Sequence, residues 1–315
     1  MPLPSDAAAI FIGVVVFLVG LGIGSFVNVC IYRMPRDESV VLPPSHCPAC
    51  GARLRPADLV PLFSFLLLGR RCRYCKAPIS WRYFVVELLT GLTFLGFWLA
   101  HLPRLRGLPE IATLIVFIVF AAMLIAIFII DLEHYIIPDE LVLVGLLGGV
   151  GRDALGLLFW NGLPRPLSLP LPWGAWTFKG IANGIPSSLA GIVVGVVVFQ
   201  GIALFSRLVF RKEGMGGGDV KLAAAIGAVV GPGLALLTFG LAIFAGAFLG
   251  GALMLARVKK RGDYIPFGPF LAAAAIAVML APQAWAAWAL GLYAAWKASW
   301  TQAGLRGRPG GSVVV

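Results

Sequence analysis

Two aspartates stand where long apolar stretches meet polar chain. Asp131 follows the uncharged run 111–130 and opens the segment Asp131-Leu132-Glu133-His134-Tyr135-Ile136-Ile137-Pro138-Asp139. Asp219 closes Gly214-Met215-Gly216-Gly217-Gly218-Asp219 and leads into Val220-Lys221. A carboxylate beside a segment of hydrocarbon length is expensive to hold and is a functional candidate by default. Two carboxylates brought together do not both ionise comfortably, so such a pair shares a proton. The ionised member can then act as base for water and the protonated member can donate to a carbonyl, which is the chemistry of aspartic peptide hydrolysis. A bell-shaped dependence of rate on pH is expected from such a pair.

The neighbours of each aspartate sharpen this reading. Pro138 prevents a smooth helical continuation from Asp131 into Asp139. The glycines at 214, 216, 217 and 218 remove side-chain bulk, so that another backbone can come close to Asp219. Asp139 is the rival partner for Asp219, but its place after Pro138 reads as the N-cap of a span beginning at Glu140. Glu133 and His134 stand close enough in sequence to tune the site. The competing account makes Asp131 and Asp219 helix caps, or ion pairs with Lys221 and nearby arginines.

A second centre is written in cysteine. Cys47-Pro-Ala-Cys50-Gly51 and Cys72-Arg-Tyr-Cys75-Lys76 are separated by 21 residues. Each Cys-x-x-Cys places two thiolates on one tight turn, and two such turns complete a tetrahedral sulfur cage for structural zinc. Gly51 permits the backbone twist after the second thiolate. The alternative is two disulfides, which a reducing cytoplasm disfavours. Cys30, inside an apolar run, reads as a small buried hydrophobe.

The elements that must position these centres follow from composition. The 315 residues are 60% hydrophobic and 12% charged, with a mean hydropathy of +0.94. That describes an all-α polytopic membrane protein rather than a soluble one. Crossing ~30 Å of hydrocarbon takes about 20 helical residues. Spans are expected at 9–31, 84–101, 111–130, 140–160, 185–206, 220–235, 235–256 and 265–281, about eight in all, with Gly231-Pro232-Gly233 as the reversal between the sixth and seventh. Residues 284–300, rich in Trp, read as an interfacial helix, 161–180 as an external loop, and 301–315 as a disordered tail. The resulting division is a first transmembrane helix (1–32), a basic loop domain built on the four cysteines (33–82), a transmembrane core (83–283), and the interfacial helix with its tail (284–315). Gly20, Gly22 and Gly24 in the first span, and the pairs Gly191/Gly195 and Gly246/Gly250, read as sites of close helix packing.

The net charge of +11 is gathered into short loops. Nine Lys and Arg lie between Arg33 and Arg82, with further clusters at Arg207/Arg211/Lys212 and Arg257/Lys259/Lys260/Arg261. This is the positive-inside pattern beside anionic lipid, and no nucleic-acid module accompanies it. The first apolar run has no basic residue ahead of it, while Arg33 and Arg36 follow, so it reads as an uncleaved anchor with its N-terminus outside. The basic loops and the 131–139 segment then share the cytoplasmic side.

With these residues in place, the chain resembles the bacterial type 4 prepilin peptidases, the leader peptidase and N-methyltransferase enzymes of pilus and type II secretion systems. The resemblance is carried by Gly24-Ser25-Phe26-Val27-Asn28-Val29 with Ile31-Tyr32-Arg33, the paired Cys-x-x-Cys loop, and Trp81-Arg82-Tyr83 leading to Glu87-Leu88-Leu89-Thr90. The Asp131–Asp139 run, Gly214 to Lys221 and Pro266-Phe267-Gly268-Pro269 follow in the family's order. It implies an intramembrane aspartic protease whose dyad is Asp131 and Asp219, in a family many of whose members carry two Cys pairs in the cytoplasmic loop, as Cys47, Cys50, Cys72 and Cys75 stand here. It also implies cytoplasmic-side cleavage of prepilins and pseudopilins at the bacterial inner membrane, then N-methylation from S-adenosylmethionine. No soluble nucleotide-binding fold is legible, and Glu87 with the cysteine loop is the candidate region for the methyl donor. Two other readings stay open: a proton-coupled transporter using the same carboxylates, and a non-enzymatic assembly factor with the cysteine loop as a docking module.

Overall fold

The computed structural model describes residues 6–159, 186–211, 215–256 and 265–282, with scattered positions between 284 and 295. Among the described residues the regular structure is helical: α1 (Asp6–Arg33), α2 (Phe63–Leu67), α3 (Trp81–His101), α4 (Leu108–His134), α5 (Asp139–Phe159), α6 (Ser187–Phe210), α7 (Gly217–Val230), α8 (Pro232–Leu255) and α9 (Gly268–Leu280). Six of the helical segments are long and apolar enough to cross a membrane. The expected number of eight is reached only by adding α7 and α9, of 14 and 13 residues, which at 1.5 Å per residue are only about 20 Å long.

The boundary between the sixth and seventh expected spans moves. Residues 231–233 do hold the break, but α7 stops at Val230, and Gly231 with φ +79 is followed by Pro232 at the start of α8. Only glycine adopts that φ without strain, and proline is suited to the first turn because its missing N–H would have no intrahelical partner there. The expected helix over 284–300 is described only in part. The 161–180 loop and the 301–315 tail lie outside the described residues.

Small residues decide which helices touch. Gly20 and Gly24 of α1 lie against Gly91, Phe94, Glu87 and Thr90 of α3, in antiparallel register. A Cβ on Gly24 would come within 2.7 Å of the Glu87 Cα. Gly191 and Gly195 of α6 face the backbone of Gly227 and Ala223 on α7, again antiparallel, and Gly149 of α5 faces Ala228. Gly246 and Gly250 meet only the side chains of Phe267, Phe270 and Ile265 at ordinary contact, and Gly22 meets nothing. The small-residue reading therefore holds for contacts of α1 with α3 and of α6 with α7, but not at every glycine. A continuous core runs through Phe97, Phe117, Phe120, Leu124, Ile127, Leu222, Ile226 and Leu271.

Sequence inspection passes over a polar clamp at the far end of α5. Arg152 and Asp153 are both buried. Arg152 donates to the Val229 carbonyl at 2.8 Å and to Asp153 at 2.9 Å, and Asp153 accepts from the Ser188 N–H at 2.8 Å and the Ser187 hydroxyl at 3.0 Å. Two adjacent charges inside an apolar run are the available signal. A buried pair with its remaining valences filled is the form in which such charges are tolerated.

Candidate active site and cysteine centre

Asp131 lies in the last turn of α4, which closes when Tyr135 takes a left-handed conformation and its N–H donates to the Asp131 carbonyl at 3.0 Å. Residues 136–138 then cross to α5. Asp219 is the third residue of α7 after the cap Gly216, and its carboxylate accepts the Gly216 N–H. This is half of a capping box, with the side chain reaching back one turn. Capping geometry is therefore present at Asp219, and the positive end of the helix dipole lies beside its charge. Both aspartates are buried, at 4% and 5% exposure.

The Asp131 carboxylate accepts the Gly268 N–H and lies within the field of the Asp219 charge. A Cβ on Gly268 would fall 2.5 Å from Asp131 Oδ2, so only glycine lets the head of α9 approach this closely. Ile137 fills the space between the helix heads. It packs 3.2 Å from where a Cβ on Gly218 would sit and 3.3 Å from the same point on Gly268. The glycine frame at Asp219 is thus used by the Ile137 side chain. Gly268 and Ile137 lie in the Pro266–Pro269 and Asp131–Asp139 stretches that carry the resemblance, but the sequence assigns neither a role at the site. A glycine directly after an aromatic residue and before proline is the only local signal at Gly268.

Lys221 does not pair with the buried carboxylates. It holds Asp139, with Nζ 2.8 and 2.9 Å from its two oxygens, on the exposed rim. No salt bridge reaches Asp131 or Asp219 among the described residues. Asp139 is the first residue of α5 rather than its cap, since the Val142 N–H donates to the Pro138 carbonyl. Glu133 points away from the pair and accepts from Arg82 Nη1 at 2.6 Å, joining the end of α4 to the start of α3. His134 Nε2 lies 4.0 Å from Glu133.

The four loop cysteines converge. The sulfurs of Cys47, Cys50, Cys72 and Cys75 all lie within 4.8 Å of one another, and Cys47 and Cys75 are 3.9 Å apart. Tetrahedral thiolates at ~2.3 Å from zinc would be separated by about 3.8 Å, so the donor set fits a closed site of four sulfurs. All five cysteines are unbridged. The two turns repeat one another. The Cys47 N–H donates to the Ala52 carbonyl and Gly51 donates back to Cys47, as Cys72 does to Ala77 and Lys76 to Cys72. The residue after the second thiol has positive φ in both turns, +69 at Gly51 and +60 at Lys76. The N–H groups of Cys75 and Tyr74 hold the Cys72 thiol down at about 7, while desolvation and the neighbouring thiols push Cys75 up to about 11. Asp58 accepts from Arg73 Nε at 2.6 Å and from the Tyr74 hydroxyl at 3.1 Å, and the Arg73 contact holds its carboxyl below the usual range.

Fold and polar centres together define a multi-pass helical membrane protein with a buried aspartate pair at the ends of its helices and a separate thiolate lobe. Comparison with known proteins narrows the class. Residues 18–101 match the bacterial peptidase A24 N-terminal domain and residues 158–251 the type IV leader peptidase family. The cysteines fall in the first segment, Asp219 in the second, and Asp131 between them. The chain is 36% identical to the type 4 prepilin-like proteins leader peptide-processing enzyme of Escherichia coli O78:H11, over 82% of this chain and 90% of that one. It is 33% identical to the prepilin leader peptidase/N-methyltransferases of Aeromonas hydrophila and Pseudomonas aeruginosa, over 82% of this chain and 87% and 86% of theirs. No solved structure matches it. The chain belongs to the prepilin leader peptidase/N-methyltransferase family.

Proposed function

We propose that this protein removes the leader peptide from type 4 prepilins and type II secretion pseudopilins at the cytoplasmic face of the bacterial inner membrane, and then methylates the new N-terminal amine using S-adenosylmethionine. Asp131 and Asp219 form the catalytic dyad. The observation that carries this is two buried carboxylates without a cation partner among the described residues, each fixed by one backbone N–H and wedged by the same isoleucine. One member, ionised, takes a proton from water as it attacks the scissile carbonyl, and the other, protonated, donates to the developing oxyanion. The reading places the N-terminus outside and the cysteine loop in the cytoplasm, supported by the basic residues of that loop and by the Arg82–Glu133 bridge, which puts loop and dyad at one end of the bundle. Zinc on Cys47, Cys50, Cys72 and Cys75 is structural, because four thiolates leave no open position. A transporter would carry its carboxylates near mid-bilayer, whereas these lie in terminal turns of α4 and α7.

The direct test incubates the detergent-solubilised protein with a prepilin and S-adenosylmethionine and reads the product by intact mass. Loss of the leader with gain of one methyl group is expected, and neither Asp131→Asn nor Asp219→Asn should cleave. Normal cleavage by either variant would remove the dyad, and an untouched prepilin would bring the transporter and assembly-factor readings forward.

A further inference from the structure

Beside the heads of α5 and α7 lies a groove of about 430 Å³, separate from the buried aspartates. Its walls are Val142, Leu143 and Leu146 of α5 and Val196 of α6, and its floor is Val220 and Ala224 of α7. The far end is closed, because the Arg152–Asp153 clamp ties α5 to Ser187 and Ser188 at the start of α6. Toward Asp139 the same two helices leave a gap, whose edge is the exposed Leu143. From Asp139 to Leu146 it runs about 10 Å, two turns of a docked helix. Charge is confined to the mouth. Lys221 Nζ holds Asp139 there at 2.8 Å, and Glu140 adds a second exposed carboxylate. Exposed pairs of this kind are weak, so this one can yield to an incoming chain. Past the mouth, Gly216 and Gly217 are exposed, and a Cβ on Gly217 would meet nothing. A chain leaving the groove therefore crosses bare backbone over the first turn of α7 to reach Asp219.

We infer that this groove seats an apolar helix of the substrate, its first two turns after the scissile bond. This rests on the peptidase reading above and specifies which face of the bundle the substrate enters. Lipid is as apolar as the groove, so a helix is held there by shape, fitting against Leu143, Leu146 and Val196 over the small Ala224. The mouth sets its direction. Asp139 and Glu140 stand against the single ammonium of Lys221, so a cation on the leader side of the scissile bond complements them. An anionic phospholipid would set its phosphate against that same excess of carboxylate. With the helix directed away from the mouth, the scissile bond falls beside Gly217 and next to Asp219.

The test combines steady-state cleavage of a prepilin by the full-length protein with photocrosslinking. Leu143→Trp, which fills the groove from its exposed edge, should raise KM about tenfold, the effect of roughly one well-packed interface contact. Its kcat should stay unchanged, the pattern of lost uniform binding. Glu140→Lys should raise KM less, by an amount that added salt reduces. Crosslinking needs no substitution in the protein. A prepilin carrying a benzophenone side chain at successive positions after the scissile bond should label peptides within 139–146 and 220–224, with helical periodicity. Wild-type KM in both variants, or label confined to other segments, would overturn the groove while leaving the peptidase intact. Capture there of a photoreactive phospholipid or a second copy of this chain, in place of the prepilin, would also overturn it. A wild-type protein labelled in the groove that leaves the prepilin uncut would instead retire the peptidase reading and keep the docking surface. One neither labelled nor active would retire both.

Discussion

From Arg33 to Trp81 the chain forms one five-residue helix, two short 3-10 turns and two isolated bridges. From Leu108 to Leu280 almost every polar side chain of interest hangs from a long helix. The cysteine lobe holds its functional atoms by covalent reach to a common centre, and its own apolar core is little more than Phe65 packed 5.2 and 5.4 Å from Trp81 and Phe84. The aspartate pair is held by close backbone approach, in which Gly268, Gly218 and Ile137 fix the heads of α9 and α7 against the end of α4. One centre is a set of four sulfurs disposed to hold an ion. The other needs only packing, and is correspondingly intolerant of added volume.

Metal removal should separate the two most sharply. Structural zinc sites carry an apparent binding free energy on the order of 10 kcal/mol, so a strong chelator, or Cys72→Ser, should unfold the lobe while leaving the helix bundle. Limited proteolysis should show new cuts confined to residues 33–82, with methylation lost and leader cleavage retained. Cuts spread through α4 to α9 would mean that the bundle depends on the lobe. Next in size, losing either aspartate should lower cleavage about 10²–10⁴-fold, the range of general acid–base contributions, without displacing metal or donor. Gly268→Ala should follow, because its Cβ would press on Asp131. A misplacement near 1 Å costs on the order of 10² in rate, and kcat should fall with the metal content unchanged. The smallest effects belong to the paired turns. Gly51→Ala should destabilise the lobe by about 1–2 kcal/mol, the cost of a left-handed conformation for a residue with a Cβ. Lys76→Gly should stabilise it or leave it unchanged, read as the chelator concentration for half release.

What the sequence discloses follows the same division. The thiolate set is legible because Cys-x-x-Cys spacing is itself the geometry of a turn. The aspartates are legible because charge beside a hydrocarbon-length run is rare. Gly268 and Ile137 stand in stretches that carry the family resemblance, but their roles are not legible, since these depend on three helix heads meeting, and no local pattern encodes that. Asp139 illustrates the limit: a cap by local rules, it opens α5 and pairs with Lys221 across 82 positions of chain. The short α7 departs from expectation at both ends, because an apolar run of 220–256 fixes total length but not where a glycine–proline step divides it.

The buried Arg152–Asp153 clamp is walled off from the surrounding lipid. Thirteen positions along α5 separate it from Asp139, about 20 Å at the helical rise, against a hydrocarbon core of ~30 Å. Because both charges are buried while Leu155, Leu157, Leu158 and Phe159 beyond them are exposed, the apolar face that lipid meets runs past the clamp to the end of α5. That face spans 21 residues, about 30 Å at the helical rise, and so matches the hydrocarbon core while its polar brace stays hidden inside. Turnover should therefore fall in bilayers made either thinner or thicker than this length.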